Sequence, residues 1–318
     1  MSFSSDIKNE VSQKTMGRSD ARACLSALLK MSSVISFSSR GMSLLVTVEN
    51  AAVARMIFSL VKDRYGSEME LFVKKKMNLN KNRIYGIRIL TFAREILEDV
   101  GLYTARGLRE KPVSKIVQTD SNARAFLTGA FLASGSINPP EKPNYHLEIT
   151  AGNEEYGLFL IEQMARFNIP AKKIERRGKT VVYVKAAEKI GDFLRCIEAH
   201  NALMKFEDER IERDFTNNFI RLNNIDVANE QKIQKAAEEQ IDDIKVLLSS
   251  RYQSQISDSL KQLAQVRLKY PDAALSELTK LYEQETGESV SKSGLRHRFL
   301  RIRELAEKER LRRKEPEE

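Results

Sequence analysis

The chain has 318 residues, of which 53 are Lys or Arg and 44 are Asp or Glu, so its formal net charge is +9. It has only 14 Gly and 7 Pro, a composition that favours a helix-rich protein over a β-sandwich or a disordered chain. The absence of a run of about 18 apolar residues, the polar start and the presence of only two cysteines argue against a membrane span, a signal peptide and a disulfide scaffold.

Two segments that lie 102 residues apart resemble each other. Residues 22–35 read Arg-Ala-Cys-Leu-Ser-Ala-Leu-Leu-Lys-Met-Ser-Ser-Val-Ile, and residues 124–137 read Arg-Ala-Phe-Leu-Thr-Gly-Ala-Phe-Leu-Ala-Ser-Gly-Ser-Ile. A β-like stretch, an amphipathic helix, a basic hairpin and a closing helix follow each segment in the same order. We therefore predict two copies of one α-β-β-α-β-β-α unit, at about residues 19–102 and 121–200, within a domain that spans residues 1–202.

The two predicted hairpins carry basic residues at equivalent places in both repeats. In the first hairpin these are Lys74, Lys75, Lys76, Lys81 and Arg83, and in the second they are Lys172, Lys173, Arg176, Arg177 and Lys179. A pseudo-twofold axis would place both hairpins on one side of the domain and form a basic saddle, which makes them candidates for secondary DNA contact. Charged hairpin tips also provide solubility and protect sheet edges, and the sequence leaves both interpretations open.

After the repeats the chain becomes polar and contains no Gly or Pro over about fifty residues. Residues 203–255 are predicted to form a helical connector, broken near Asn223–Asp226. The segment is acidic, with a net charge of −3 over residues 201–256. A solvated helical linker is the preferred interpretation of this segment.

Residues 256–318 predict three helices, at about residues 257–269, 273–285 and 292–313. Pro271 disfavours continuation of the first helix, Gly287 ends the second, and Ser291 is a candidate N-cap of the third. A short glycine-containing turn between the last two helices is a helix-turn-helix signature, at residues 274–308.

The third of these helices has an apolar stripe and a basic face. Its apolar residues recur at a period of about 3.6 residues, namely Leu295, Phe299, Ile302 and Ala306. Residues 291–314 hold ten Lys or Arg against three Glu, whereas residues 257–290 have a net charge of −2. In a helix-turn-helix this helix enters the major groove, where basic side chains contact phosphates and base edges. We predict DNA contact by Lys292, Ser293, Arg296, His297, Arg298, Arg301 and Arg303, with a merely solvated basic helix as the alternative.

Residues 127–135, Leu-Thr-Gly-Ala-Phe-Leu-Ala-Ser-Gly, resemble the LAGLIDADG helix of homing endonucleases, and residues 25–33 are a weaker copy in the same register. The resemblance implies that two such helices pack closely through small residues. In that family the eighth motif position is an aspartate that binds the catalytic divalent metal, and here it is Ser32 or Ser134. Because Mg²⁺ requires hard anionic oxygen ligands, we expect no metal, no other cofactor and no nuclease activity.

A degenerate LAGLIDADG pair, an acidic connector and a C-terminal helix-turn-helix together resemble the bacterial WhiA family over essentially the whole chain. The most specific segments are residues 124–139, 217–229 and 290–294. The expected fold class is α+β, with a duplicated LAGLIDADG-like domain joined by a helical connector to an all-α helix-turn-helix domain. The resemblance implies a non-enzymatic, sequence-specific DNA-binding regulator, linked to sporulation, cell division or chromosome segregation.

The resemblance also defines the expected partners. These are double-stranded DNA and, through the repeat domain, another transcription or division protein, without a membrane or a small-molecule substrate. The expected location is the cytoplasm, in association with the nucleoid. Two alternatives stay open, a residual metal-dependent DNA endonuclease and an adaptor whose repeat domain binds protein.

Overall fold

The computed structural model describes residues 2–38, 41–75, 83–250 and 256–314. Its contacts divide the chain into two compact units, Met1–Asp214 and Phe215–Glu318. The first unit is a mixture of helices and antiparallel sheets, and the described part of the second is helical. No helix in the described ranges is long and apolar enough to cross a bilayer.

The first unit opens with helix α1 (Phe3–Val11), which the sequence analysis did not predict, and then shows one arrangement twice. The first copy consists of α2 (Arg18–Ser32), β1 (Ser33–Ser38), β2 (Gly41–Val48), α3 (Ala51–Tyr65), β3 (Met69–Lys75), β4 (Arg83–Ile89) and α4 (Ala93–Asp99). A small hairpin, β5 (Tyr103–Thr104) and β6 (Gly107–Leu108), and a 3₁₀ turn (Ser114–Val117) lead to the second copy. That copy consists of α5 (Asp120–Ser134), β7 (Gly135–Ile137), β8 (Leu147–Thr150), α6 (Glu154–Ala165), β9 (Lys172–Arg176), β10 (Lys179–Val184) and α7 (Ala187–Cys196).

The two sheets have the same topology. Their strand orders are β1-β2-β4-β3 and β7-β8-β10-β9, and every pairing in them is antiparallel. Each strand of the first sheet therefore has an equivalent at the same place in the second. The predicted duplication of an α-β-β-α-β-β-α unit is confirmed.

Helices α2 and α5 pack against each other through small residues at the centre of the first unit. A Cβ atom added to Gly129 would lie 2.2 Å from the carbonyl oxygen of Cys24 and 3.1 Å from the Cβ of Ala27. Ala27 and Gly129 are equivalent positions of the two repeats, so the pseudo-twofold axis passes between them. Near the start of both helices, Asp20 accepts hydrogen bonds from Ser121 Oγ and Asn122 Nδ2, each at 2.8 Å.

Helix α8 (His200–Leu248) runs without interruption for 49 residues. The predicted break near Asn223–Asp226 is therefore wrong. Asparagine and aspartate lower helix propensity by only about 0.7 kcal/mol each relative to alanine, and no Gly or Pro is present to end the helix. Ile244 and Leu247, in the last turns of α8, are buried in the core of the second unit.

The second unit continues with α9 (Asp258–Lys269), α10 (Leu275–Thr286) and α11 (Lys292–Lys314). Its core joins apolar residues from all four helices, including Leu263, Leu278, Tyr282, Leu295 and Phe299. The three C-terminal helices lie within one or two residues of their predicted bounds, which is the usual uncertainty of helix ends.

Candidate DNA interface

The turn between α10 and α11 forms as its residues predict. Gly287 adopts a left-handed conformation (φ 71°), and its amide donates to the carbonyl of Glu283 at 2.8 Å, which ends α10. The hydroxyl of Ser291 accepts a hydrogen bond from the amide of Gly294 at 3.1 Å and so caps the start of α11. This turn determines the direction in which α11 leaves α10.

The apolar stripe of α11 is buried, as predicted. Leu295, Ile302 and Ala306 are at most 1 % exposed, and Phe299 is 6 % exposed. Burial of this stripe against α9 and α10 turns the opposite face of α11 towards solvent. One face of α11 therefore packs against the core of the second unit, and the other face is exposed to solvent.

The exposed face of α11 carries Ser293, Arg296, His297, Leu300 and Arg301. Arg296 and His297 have no hydrogen-bond or ion-pair partner among the residues that the structure describes. Arg301 Nη1 lies 2.8 Å from Glu304 Oε2, but both side chains are more than half exposed, so this pair adds little to stability. Two guanidinium groups and an imidazole are thus available on one helical face for an anionic or hydrogen-bonding partner.

Arg298 occupies a different environment from the other predicted contact residues. Its Nη1 donates to the Tyr282 hydroxyl at 2.7 Å, its Nη2 donates to Glu288 Oε1 at 2.6 Å, and its guanidinium lies over the Tyr282 ring at 5.3 Å. The hydrogen bond from Arg298 lowers the pKa of Glu288 and so keeps this carboxylate charged. Arg298 therefore connects α11 to α10 and to the turn between them.

Arg303 is also engaged within the chain, because its Nε donates to Glu307 Oε1 at 3.1 Å. Lys292 is exposed at the first turn of α11 and has no hydrogen-bond or ion-pair partner in the described ranges. Together with Ser293 and Arg296 it lines a groove of about 750 Å³ against Lys232 and Ile233 of α8. The N-terminal end of α11 thus opens onto a groove with four basic side chains in its lining, Lys232, Arg267, Lys292 and Arg296.

Arg267 of α9 anchors the helix-turn-helix from inside. It is 2 % exposed, its Nη1 donates to the carbonyl of Ala273 at 2.7 Å, and its guanidinium lies 5.5 Å from the centre of the Phe299 ring. Burial lowers its pKa. The sequence analysis did not single out this residue; the only signal was an arginine beside Val266 and Leu263 on the apolar face of a helix.

The C-terminal turns of α11 use several basic residues to pack within the second unit. Glu309 is fully buried and lies 2.9 Å from Arg312 Nη2 and 2.9 Å from Arg313 Nε. Hydrogen bonds from these two arginines lower its pKa to about 2. Arg310 Nη1 pairs with Asp243 of α8 at 2.7 Å. The excess positive charge of α11 is therefore only partly available to a partner. Among the described residues of α11, Lys292, Arg296 and Lys308 are exposed and have no ion pair.

The basic hairpins lie in the first unit, between β3 and β4 and between β9 and β10. Lys74, Lys75, Arg83, Lys172 and Lys179 are exposed, whereas the predicted contact residues Lys76 and Lys81 lie outside the described residues. The turn of the second hairpin places Arg177 (φ 53°) and Gly178 (φ 72°) in the left-handed region, an arrangement that matches a type I′ turn.

Two of the predicted hairpin contacts are ion-paired, one with a residue of α6 and one within the sheet. Lys173 pairs with Glu154, and Arg176 Nη1 lies 3.6 Å from Glu148 Oε2. Lys172, Arg177 and Lys179 have no such partner among the described residues. The second hairpin therefore presents about half of its basic side chains without a nearby carboxylate.

The positions that correspond to the LAGLIDADG metal ligands are neutral and already hydrogen-bonded. Ser134 Oγ donates to the carbonyl of Thr150 at 2.9 Å, and Ser32 Oγ donates to the carbonyl of Leu28. Lys30 Nζ, at the sixth motif position, donates to the carbonyl of Arg109 at 2.9 Å. Within the described ranges no three His, Cys, Asp or Glu side chains come together. These residues do not fit a divalent metal.

Comparison with known proteins identifies similar domains along the whole chain. Family models match the WhiA N-terminal LAGLIDADG-like domain over residues 18–103, the WhiA LAGLIDADG-like domain over residues 123–216 and the WhiA C-terminal HTH domain over residues 220–306. The chain is 42 % identical to a protein of Bacillus cytotoxicus named "Probable cell division protein WhiA", with 97 % of each chain covered. It is 40 % identical to a protein of the same name from Lysinibacillus sphaericus, over 96 % of this chain and 97 % of that one.

Two solved structures have similar folds. The full-length DUF199/WhiA structure from Thermatoga maritima matches with a TM-score of 0.57 and 24 % identity, over 97 % of this chain and 99 % of that one. A structure of the N-terminal LAGLIDADG domain of DUF199/WhiA matches with a TM-score of 0.50 and 25 % identity, over 61 % of this chain and 89 % of that one.

Proposed function

The chain belongs to the WhiA family, and from this premise we propose that it is a sequence-specific DNA-binding protein without nuclease activity. It acts as a regulator of transcription and in cell division and chromosome segregation, in the cytoplasm and in association with the nucleoid. The names of its relatives, probable cell division proteins, support the link to division. The observation that carries the proposal is that Arg296 and His297 are exposed, and without a partner among the described residues, on a helix whose other face is buried.

In the proposed complex α11 lies in the major groove of double-stranded DNA. Arg296 and Arg301 donate to base edges, since a guanidinium can donate two parallel hydrogen bonds to guanine O6 and N7. Lys292 and Ser293, at the start of α11, contact a backbone phosphate, where the amides of the helix terminus add favourable partial charge. Arg298 positions α11 through Glu288 and Tyr282 instead of contacting a base, and Arg303 adds charge near the backbone.

Cleavage of DNA by this protein is not expected. A LAGLIDADG-type cut requires carboxylates that hold a divalent metal, and this chain has Ser32 and Ser134 at the equivalent positions. We expect supercoiled plasmid to stay intact after overnight incubation with the full chain and about 10 mM Mg²⁺ or Mn²⁺. A nicking endonuclease in the same buffer serves as the positive control, and EDTA-sensitive nicking by the full chain would contradict the proposal.

The second basic hairpin is proposed to provide secondary phosphate contacts through Lys172, Arg177 and Lys179, which have no carboxylate partner in the part of the chain that the structure describes. A plot of log affinity against log salt concentration has a negative slope, and each lost phosphate contact reduces the magnitude of this slope by about 0.9. Alanine at all three positions should therefore reduce this slope by about 2 to 3 and leave the preferred sequence unchanged. The slope can be measured by fluorescence anisotropy on a long duplex between about 50 and 200 mM salt.

The matched control for the hairpin variant is the Lys173→Ala/Arg176→Ala protein, which removes two charges that are already ion-paired. Its salt slope should stay within about half a unit of the wild-type value. An unchanged slope in the triple variant would favour the second candidate function, an adaptor whose repeat domain binds another transcription or division protein. The exposure of Phe37 (73 %) and Leu71 (61 %) on the first sheet supports that candidate.

A further inference from the structure

A cavity of about 980 Å³ opens in the first unit and is lined by residues of that unit alone. It is formed by α1, the start of α3, the neighbouring ends of β2 and β4, and the last turn of α5. The helix α5 contributes Ser134, so the cavity adjoins the place where the LAGLIDADG motif would end in a metal ligand.

The charged groups that line the cavity are mostly basic. Lys8, Arg55 and Arg83 line it, and Glu49 is the one carboxylate in its described lining. The Lys8 ammonium lies over the Phe131 ring at 5.8 Å, and none of the ion pairs found in the described ranges includes it. Burial lowers the pKa of Lys8 to about 8, an effect that Glu49 opposes. A partly buried ammonium that has no bonded carboxylate is a favourable place for an anion from solution.

Several neutral polar groups around the cavity already have partners inside the protein. Asn50 Oδ1 accepts from the amides of Ala52 and Val53 at 2.8 and 3.1 Å, which satisfies the first turn of α3. Asn50 Nδ2 donates to Asn9 Oδ1 at 2.9 Å, and Ser134 Oγ donates to Thr150. The basic side chains and the Tyr85 hydroxyl therefore remain for a ligand, and the basic side chains select for negative charge.

The size and the remaining lining restrict the ligand further. Small-molecule sites have volumes of about 300 to 1,000 Å³, and this cavity is at the upper end of that range. Val48, Leu132 and the ring of Tyr85 add apolar surface next to the basic groups. A ligand that fits has an anionic end and a less polar body.

From the cavity and its three cations we propose that the first unit binds a small phosphorylated ligand of about mononucleotide size. Its phosphate contacts Lys8 and Arg55, since ammonium and guanidinium groups are the usual protein partners of phosphate. The body of the ligand lies against Tyr85 and Leu132. This site is separate from α11, so the proposal does not depend on how the protein contacts DNA.

Isothermal titration calorimetry of the full chain tests the proposal. The probes are AMP, glucose 6-phosphate and inorganic phosphate, with adenosine and glucose as their phosphate-free counterparts. We expect at least one phosphate ester to bind at a ratio of 1:1 with a Kd below about 1 mM, and its phosphate-free counterpart to bind at least tenfold more weakly.

Substitutions test whether the phosphate ester binds in the cavity. Lys8→Met keeps the length of the side chain and removes its charge, so it should weaken binding of the phosphate ester at least tenfold. Lys8→Arg should stay within about threefold of the wild type because it keeps the charge. Lys142→Met makes the same exchange at an exposed lysine of the same unit outside the cavity, and it should change affinity less than twofold. Thermal unfolding of each variant shows whether the fold is intact.

Two results would overturn the proposal. The first is that none of the three phosphate probes binds, and the second is that folded Lys8→Met binds as well as the wild type. If no small probe binds and Lys8→Met weakens binding of random-sequence duplex, the cavity cations serve the DNA backbone instead. DNA binding lost through α11 variants would leave the calorimetric result unchanged, so the two proposals fail separately.

Discussion

Replacing Arg296 and Arg301 together by alanine is expected to abolish sequence-specific DNA binding. A base-reading arginine contributes about 1 to 3 kcal/mol of discrimination, so the loss of two should weaken binding to a selected target about 30-fold or more. Both side chains are exposed, and neither supports the core, so the fold should be retained. The target is obtained first by in vitro selection from random duplexes, and affinity is then measured by mobility shift at about 150 mM salt.

The matched control removes two positive charges elsewhere in the second unit. Arg221 and Lys245 are exposed on α8, and Arg221→Ala/Lys245→Ala lowers the net charge of the protein by the same amount as the α11 variant. The control should retain the preference for the selected sequence over a scrambled duplex. Equal loss of affinity in both variants, or unchanged affinity in the α11 variant, would contradict the proposed role of α11.

Gly129→Ala is expected to destabilise the first unit although alanine is the better helix former. In a helix interior alanine is favoured over glycine by about 1 kcal/mol. At Gly129, however, the new Cβ atom would lie 2.2 Å from the backbone oxygen of Cys24, so the two motif helices would have to move apart. Overpacking of this kind costs about 1 to 3 kcal/mol, and each kcal/mol lowers the unfolding midpoint of a unit this large by about 2 to 4 °C.

Gly191→Ala is the matched control for this variant. Gly191 is also a helical glycine in the first unit, but an added Cβ would approach only Glu207 Oε1, at 2.5 Å, the end of a flexible side chain. Its midpoint should stay the same or rise. Differential scanning calorimetry of the two proteins separates the steric effect at Gly129 from the effect of helix propensity. A Gly129→Ala protein as stable as the wild type would show that α2 and α5 are not in such close contact.

Local patterns in the sequence were sufficient where the determining residues are neighbours on the chain. The stripe from Leu295 to Ala306 predicted which face of α11 is buried, because helical periodicity alone places these residues on one side. Gly287 predicted the end of α10 and Ser291 the start of α11, because their conformational and capping effects act within a few residues. The duplicated fold followed from two similar segments in the same register.

Other features depend on residues that are distant on the chain. The side chain of Arg298 cannot be assigned to the DNA face or to the turn until Tyr282 and Glu288 are placed beside it. The same holds for Glu309, whose charge is compensated by local arginines while its burial depends on the packing of the second unit. The α8 helix was predicted with a break because three polar residues, Asn223, Asn224 and Asp226, resemble a loop, although none of them ends a helix.

The sequence by itself determined the fold class, the pairing of two LAGLIDADG-like repeats with a helix-turn-helix, and the loss of acidic residues at Ser32 and Ser134. These depend on residue types at defined spacings, which can be read along the chain. Only the tertiary structure decided which cations of α11 are free and which hold the helix in place. It also brought Lys8, Arg55 and Arg83 around one cavity. The physical reason is that a charge acts through its neighbours in space, and folding sets those neighbours.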